Sequence, residues 1–170
     1  MTLPQLFFLY FAVSMTGLSL LVVTRRNPVH SVLWMLVLFL HIAALYLFLN
    51  AEFLAAIQII VYAGAILVLF LFVIMLLNLR REETERMFQD QWPVGAGIGV
   101  VLAVFFVVIV GKIAVLAPLG EYSIDAVQAE GHIMSIGKVL YTKFLLPFEI
   151  ASLILLVAII GAVVLAKKRI

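Results

Sequence analysis

Charged residues occur in clusters along this chain, and the stretches between them are apolar and long. Five such stretches cover approximately residues 6–24, 29–49, 53–78, 94–117 and 144–166. Each is close to the roughly 20 residues a helix needs to cross about 30 Å of hydrocarbon. Within lipid every backbone amide must find its partner inside the segment, so unbroken runs of this length predict helices and not strands. The pattern predicts an all-α integral membrane protein, a single transmembrane domain over residues 1–170 with five spans. The first run does not read as a cleavable signal peptide. It lacks a basic leader, is too long, and meets Arg25 and Arg26 with no small-residue cleavage site.

Local signals sharpen the boundaries. Asn27-Pro28 places a capping side chain before a proline at the first helical position of the second span. Trp92-Pro93 opens the fourth span, with the indole where an interfacial aromatic belt would hold it. Pro147 belongs in the first turn of the fifth, which moves its start to about Leu146. The third run is the longest, and at 1.5 Å per residue it would reach roughly 39 Å. It must tilt, protrude or contain a helix irregularity. Residues 79–93 mix both signs, and Glu82 with Arg86 makes a favourable i,i+4 pair on a short surface helix. In the outer loop, 118–143, Gly120, Gly131 and Gly137 are expected to break any long helix. Neither loop is large enough for a catalytic domain, and no internal repeat suggests an inverted-repeat carrier.

Composition agrees with the pattern and narrows the function. Of 170 residues 66% are hydrophobic and 12% charged, and mean hydropathy is +1.29, against roughly 45–50% apolar and 25% charged in soluble domains. So much apolar surface cannot be folded inside one water-soluble globule, which excludes a soluble enzyme, a nucleic-acid binder and a disordered tail. The chain has no cysteine, and so supplies no disulfide, iron–sulfur ligand, thiolate zinc site or c-type haem attachment. Eight lysines and arginines (Arg25, Arg26, Arg80, Arg81, Arg86, Lys167, Lys168, Arg169) fall on one side of a five-span topology, against Lys138 and Lys143 on the other. The positive-inside rule then puts the N-terminus outside and the C-terminus in the cytoplasm.

Few ionisable groups lie inside the spans, where they are costly and so merit a functional reading. Glu149, in PFEIAS on the fifth span, reads either as a protonatable site on a proton path or as a first-turn carboxylate complementing the helix dipole. Lys112, late in the fourth span, is accounted for by snorkelling to the interface. His41, mid-way along the second span, can hydrogen-bond a neighbouring helix. His30 and His41 lie on one helix and cannot clasp a haem from opposite faces, and His132 is in the outer loop. Gln58, Tyr62, Ala63, Gly64 and Ala65 concentrate two polar groups and a small-residue notch in the third span. They suit close helix packing with hydrogen bonds across it, or else mark a change of helical register such as a π-bulge. Gly95 and Gly99 on the fourth span, and Ala158, Ala162 and Ala166 on the fifth, suit tight packing alone.

No phosphate loop, dinucleotide fingerprint, metal-ligand cluster or nucleophile–base pair is present, and a solute carrier would need more inward-facing polar groups. The residues point to a packing and coupling subunit of a larger membrane complex.

Three runs carry a resemblance: NPVHS (Asn27–Ser31), QIIVYAGAILVLFLFVIMLLN (Gln58–Asn78) and LPFEIASLILLVAIIGAVVLA (Leu146–Ala166). They resemble the J chains, also called subunit 6, of proton-pumping NADH:quinone oxidoreductase (respiratory complex I), in their bacterial form. IVYAGAI is the most specific part. The resemblance implies a π-bulge in the third helix around Tyr62–Gly64 (Tyr62, Ala63, Gly64 and Ala65), whose conversion toward α-helix links quinone reduction to proton movement. It makes Glu149 a candidate polar neighbour of the hydrated membrane axis; Gln58, His41 and Lys112 are the further proton-path candidates among the polar residues of the spans. Some relatives carry glutamate where this chain has Gln58, and an amide does not titrate. It further implies that FMN, the iron–sulfur clusters and quinone are bound by other subunits, with no cofactor in this chain. Its partners would be the lipid bilayer and other membrane subunits, notably the K-type and H-type chains, in a bacterial inner membrane. A purely structural scaffold is the alternative, in this complex or in a related ion-translocating one with a different electron donor.

Overall fold

In the computed structural model the described residues are 2–77, 92–113 and 122–167, with the side chains of 112 and 113 excepted. The described residues are helical or lie in short turns, and five helices are long and apolar enough to cross a membrane. In chain order they are α1 (Leu3–Thr24), α2 (Pro28–Phe48), a third span built from α3 (Glu52–Ile57), a π-helical segment (Gln58–Ile66) and α4 (Leu67–Leu76), then α5 (Trp92–Ile113) and α8 (Leu145–Ala166). Two short helices, α6 (Ile124–Glu130) and α7 (His132–Thr142), precede α8.

The chain divides into two compact units, Met1–Glu121 and Tyr122–Ile170. In the first, α2 packs against α1 and against all three pieces of the third span. The buried apolar residues of this packing are Val32 and Ala43 on α2 and Ala55, Ala63 and Leu67 on the third span. Alanine dominates because lipid tails are as apolar as leucine. Helices in a membrane gain by close backbone approach and van der Waals contact rather than by escape from water. The outward surfaces are correspondingly apolar, and α5 is exposed along nearly its whole described length.

The turn between α1 and α2 follows from its sequence. Asn27 Oδ1 accepts from the Val29 N–H at 2.9 Å and the His30 N–H at 3.4 Å, and Pro28 takes the first helical position, where no N–H is needed. The Ser31 hydroxyl donates to the Val22 carbonyl on α1, and the Arg25 guanidinium lies 5.7 Å from the Trp34 ring centroid. At the far end of α2, Asn50 adopts φ 57°. The Ala51 N–H reaches the Tyr46 carbonyl at 2.8 Å and the Asn50 N–H the Leu47 carbonyl at 3.0 Å. That is a Schellman ending, with asparagine in the left-handed position it tolerates better than other side chains.

In the second unit Gly131, at φ 90°, separates α6 from α7. Gly137 does not break a helix: it sits inside α7, because an isolated glycine costs a helix interior only about 1 kcal/mol and the flanking residues pack. Helices α6 and α7 are joined by an ion pair, Lys138 Nζ to Glu130 Oε1 at 3.0 Å, and by the Ser135 hydroxyl donating to Glu130 Oε2 at 3.2 Å. Lys138 holds the Glu130 carboxyl below its ordinary pKa, by hydrogen bond first and by charge second. The Glu82–Arg86 pair, Gly120 and the basic tail from Lys168 lie outside the described residues.

Candidate functional site

The third span opens as an ordinary α-helix at Glu52 and changes register at Gln58. For nine residues, QIIVYAGAI, it runs as a π-helix, and it returns to α at Leu67, whose N–H bonds the Tyr62 carbonyl five residues back. Wide turns of this kind are rare and concentrate at functional sites. They also alter which residues share a face. The buried positions of the span are Ala55, Gln58, Ala63 and Leu67. An α-helix would continue from Gln58 to Val61 or Tyr62, three or four residues on; here the next buried residue is Ala63. The π turn therefore places Ala63 in the packed interface and leaves Tyr62 46% exposed.

Gly64 has a direct reason to be glycine. A Cβ built on it would lie 3.2 Å from the Ile59 carbonyl oxygen, the backbone atom that the wide turn brings beneath it. Ala65 beside it is exposed. Tyr62 meets α2 through its ring, edge-to-face on Phe39 with centroids 6.1 Å apart. Gln58 is 7% exposed, a buried polar side chain at the first residue of the π segment.

His41 faces α1. Its Nδ1 lies 2.9 Å from the Val37 carbonyl, one turn back on its own helix. A carbonyl only accepts, so Nδ1 donates to it, and the Tyr10 hydroxyl lies a long 3.5 Å from Nε2. Thus Gln58, Tyr62, Ala63, Gly64 and Ala65 form one element packed on α2, and His41 lies on the α1 side of that helix. Glu149 stands in the second unit, exposed, near the start of α8, where its carbonyl accepts from the Ser152 hydroxyl at 2.7 Å. Lys112 is in α5, and its side chain lies outside the described residues.

Phe39 and the five-residue step in the buried stripe escaped the sequence reading. Phe39 is one of 13 phenylalanines, and nothing local sets it apart. The step had a signal in the polar and small residues from Gln58 to Ala65, but its phase depends on where α2 lies. Among the described residues no group of three or more histidine, aspartate or glutamate side chains could hold a metal ion.

Residues 18–165 match the family model described as NADH-ubiquinone/plastoquinone oxidoreductase chain 6. Among curated proteins, the chain is 38% identical over 165 residues to the NADH-quinone oxidoreductase subunit J of Rickettsia felis, covering 96% of this chain and 80% of that one. It is 39% identical over 180 residues to the NADH-ubiquinone oxidoreductase chain 6 of Chondrus crispus, covering 95% and 83%. To the NAD(P)H-quinone oxidoreductase chain 6 of Leptolyngbya boryana it is 40% identical over 162 residues, covering 95% and 79%.

Proposed function

This chain belongs to the NADH-ubiquinone/plastoquinone oxidoreductase chain 6 family, and from that premise we propose that its third span is the moving part linking quinone reduction elsewhere in the complex to proton translocation. The observation that carries the reading is the π segment Gln58–Ile66, with Gly64 seated over the Ile59 carbonyl. Loss of the extra residue in the wide turn advances everything beyond it by one position, about 100° around the axis. Tyr62 and Ile66 then take the places of Ala63 and Leu67 against α2. Overpacking of the kind made by a tyrosine in an alanine site costs about 1–3 kcal/mol, and regular α hydrogen bonding offsets part of it. Two such arrangements of similar energy make a switch rather than a spring.

In this reading Tyr62, already on Phe39, is the side chain that crosses the interface, and Gln58 is the polar hinge that relays hydrogen bonds without titrating. Glu149, His41 and Lys112 are the remaining polar groups of a proton path. The chain acts as part of an oxidoreductase and has no active site of its own. FMN, iron–sulfur clusters and quinone belong to neighbouring subunits, and the K-type and H-type membrane chains are its nearest partners. The N-terminus faces outward and the C-terminus the cytoplasm of a bacterial inner membrane, by the lysine and arginine asymmetry.

The test is Gly64→Val in the assembled complex, with NADH:quinone turnover and proton pumping assayed together and a native gel confirming assembly. Turnover and pumping strongly reduced in an intact complex is the expected result. Normal, coupled activity would leave the chain as a scaffold.

A further inference from the structure

Gln58 is only 7% exposed, yet its carboxamide makes no hydrogen bond among the described residues. A carboxamide offers two N–H donors and an oxygen with two lone pairs, and buried polar groups are nearly always paired. Gln58 stands about 9 Å along the third span from Glu52, at a depth where lipid tails offer no partner. Its oxygen and nitrogen are not sealed in protein, because among the described residues no fully enclosed side-chain oxygen or nitrogen lacks a partner. Each is therefore within reach of a sphere the size of water. The π register opens a second polar group nearby. At its end the Leu67 N–H takes the Tyr62 carbonyl, and regular α pairing then takes the Val68 N–H to Gly64. The Ala63 carbonyl between them is skipped, an acceptor that a continuous α-helix would fill.

We propose that Gln58 binds an internal water between α2 and the third span, and that this water selects the π register; the second half rests on reading the span as a switch. Long side chains on a helix lean toward its N-terminus, onto the residue four back. In the α register Tyr62 stands four residues from Gln58 on the same buried face. Its ring then covers the carboxamide and takes the place of the water. In the π register Ala63 holds that buried position, and its methyl group leaves the carboxamide open. A ligand that binds one arrangement and not the other shifts the equilibrium toward the one it binds. The smallness of the opening favours water over a side chain of a neighbouring subunit, which needs a path several atoms wide.

The test is a map of the wild-type assembled complex fine enough to show ordered water, set beside one of Gln58→Met. That variant keeps the length of the side chain and removes its donors and acceptor. Wild type should show a water about 2.7–3.2 Å from the carboxamide oxygen or nitrogen wherever Ala63 and Leu67 face α2. In Gln58→Met the water should be lost, and the share of particles with Tyr62 and Ile66 against α2 should rise severalfold; Gln58→Leu serves where Gln58→Met fails to assemble. A wild-type carboxamide bonded to a side chain of a neighbouring subunit, or with no density in bonding distance, would overturn the assignment. So would a water retained in Gln58→Met, or an unchanged register in a variant that has lost it. Activity lost in Gly64→Val with no water at Gln58 in wild type would sink this inference and leave the switch standing.

Discussion

Gly64→Ala gives a graded measure of how far the third span depends on its wide turn. The added Cβ would lie 3.2 Å from the Ile59 carbonyl oxygen, some tenths of an ångström inside ordinary contact. The opposing atom is backbone, so relief must come from bending or shifting the turn, at about 1 kcal/mol for a bond-angle change of about 7°. Alanine also gains roughly 1 kcal/mol over glycine in any helix, but that gain accrues to the π and α registers alike and cancels in their difference. The net effect is to disfavour the π form by about 1 kcal/mol, roughly a fivefold change in the π:α ratio. Where return to the π form limits the cycle, NADH:quinone turnover and proton pumping fall together by up to that factor. Valine adds two γ carbons with a stiff χ1 and should act more strongly. The assay is turnover and pumping on membranes with assembled complex, paired with a structure of the Gly64→Ala complex to see whether Ala63 and Leu67 or Tyr62 and Ile66 face α2. Wild-type activity in both variants, with the Ala63–Leu67 stripe retained, would refute the reasoning.

Further predictions concern packing, capping and charge. Leu67→Ala removes a side chain only 4% exposed on the packed face and should cost about 2 kcal/mol, the low end for buried leucine because lipid tails also offer apolar contact; thermal melting of the detergent-purified complex reads it. Asn27→Ala removes the acceptor for the Val29 and His30 N–H groups and should cost about 1 kcal/mol, whereas Asn27→Asp should melt like wild type. Lys138 lowers the Glu130 pKa in the folded chain. The stabilisation is therefore present above the ordinary carboxylate value and lost as pH falls through the folded one. Amide protection factors across α6 and α7, taken relative to intrinsic exchange at each pH, should fall in that acid window, and Lys138→Gln should reduce the pH dependence.

The spans, their order and their caps were legible in the sequence because each depends on neighbours along the chain. Hydropathy summed over about 20 residues decides whether a segment enters lipid, and Asn27-Pro28 caps α2 with atoms two and three residues away. The notch from Gln58 to Ala65 left two readings open, close packing or a change of helical register, and only the family resemblance favoured the second. Gly137 misled the sequence reading, because the cost of one glycine is small beside the packing of the helix around it. Which residues face α2 was a different kind of question. The step from Gln58 to Ala63, the exposure of Tyr62, its contact with Phe39 and the carbonyl beneath Gly64 all depend on where the wide turn falls when two helices pack. In an almost uniformly apolar helix many phases bury equally greasy surface, so hydrophobic periodicity cannot choose among them. Steric fit between α2 and the third span chooses, and that fit exists only in the folded chain.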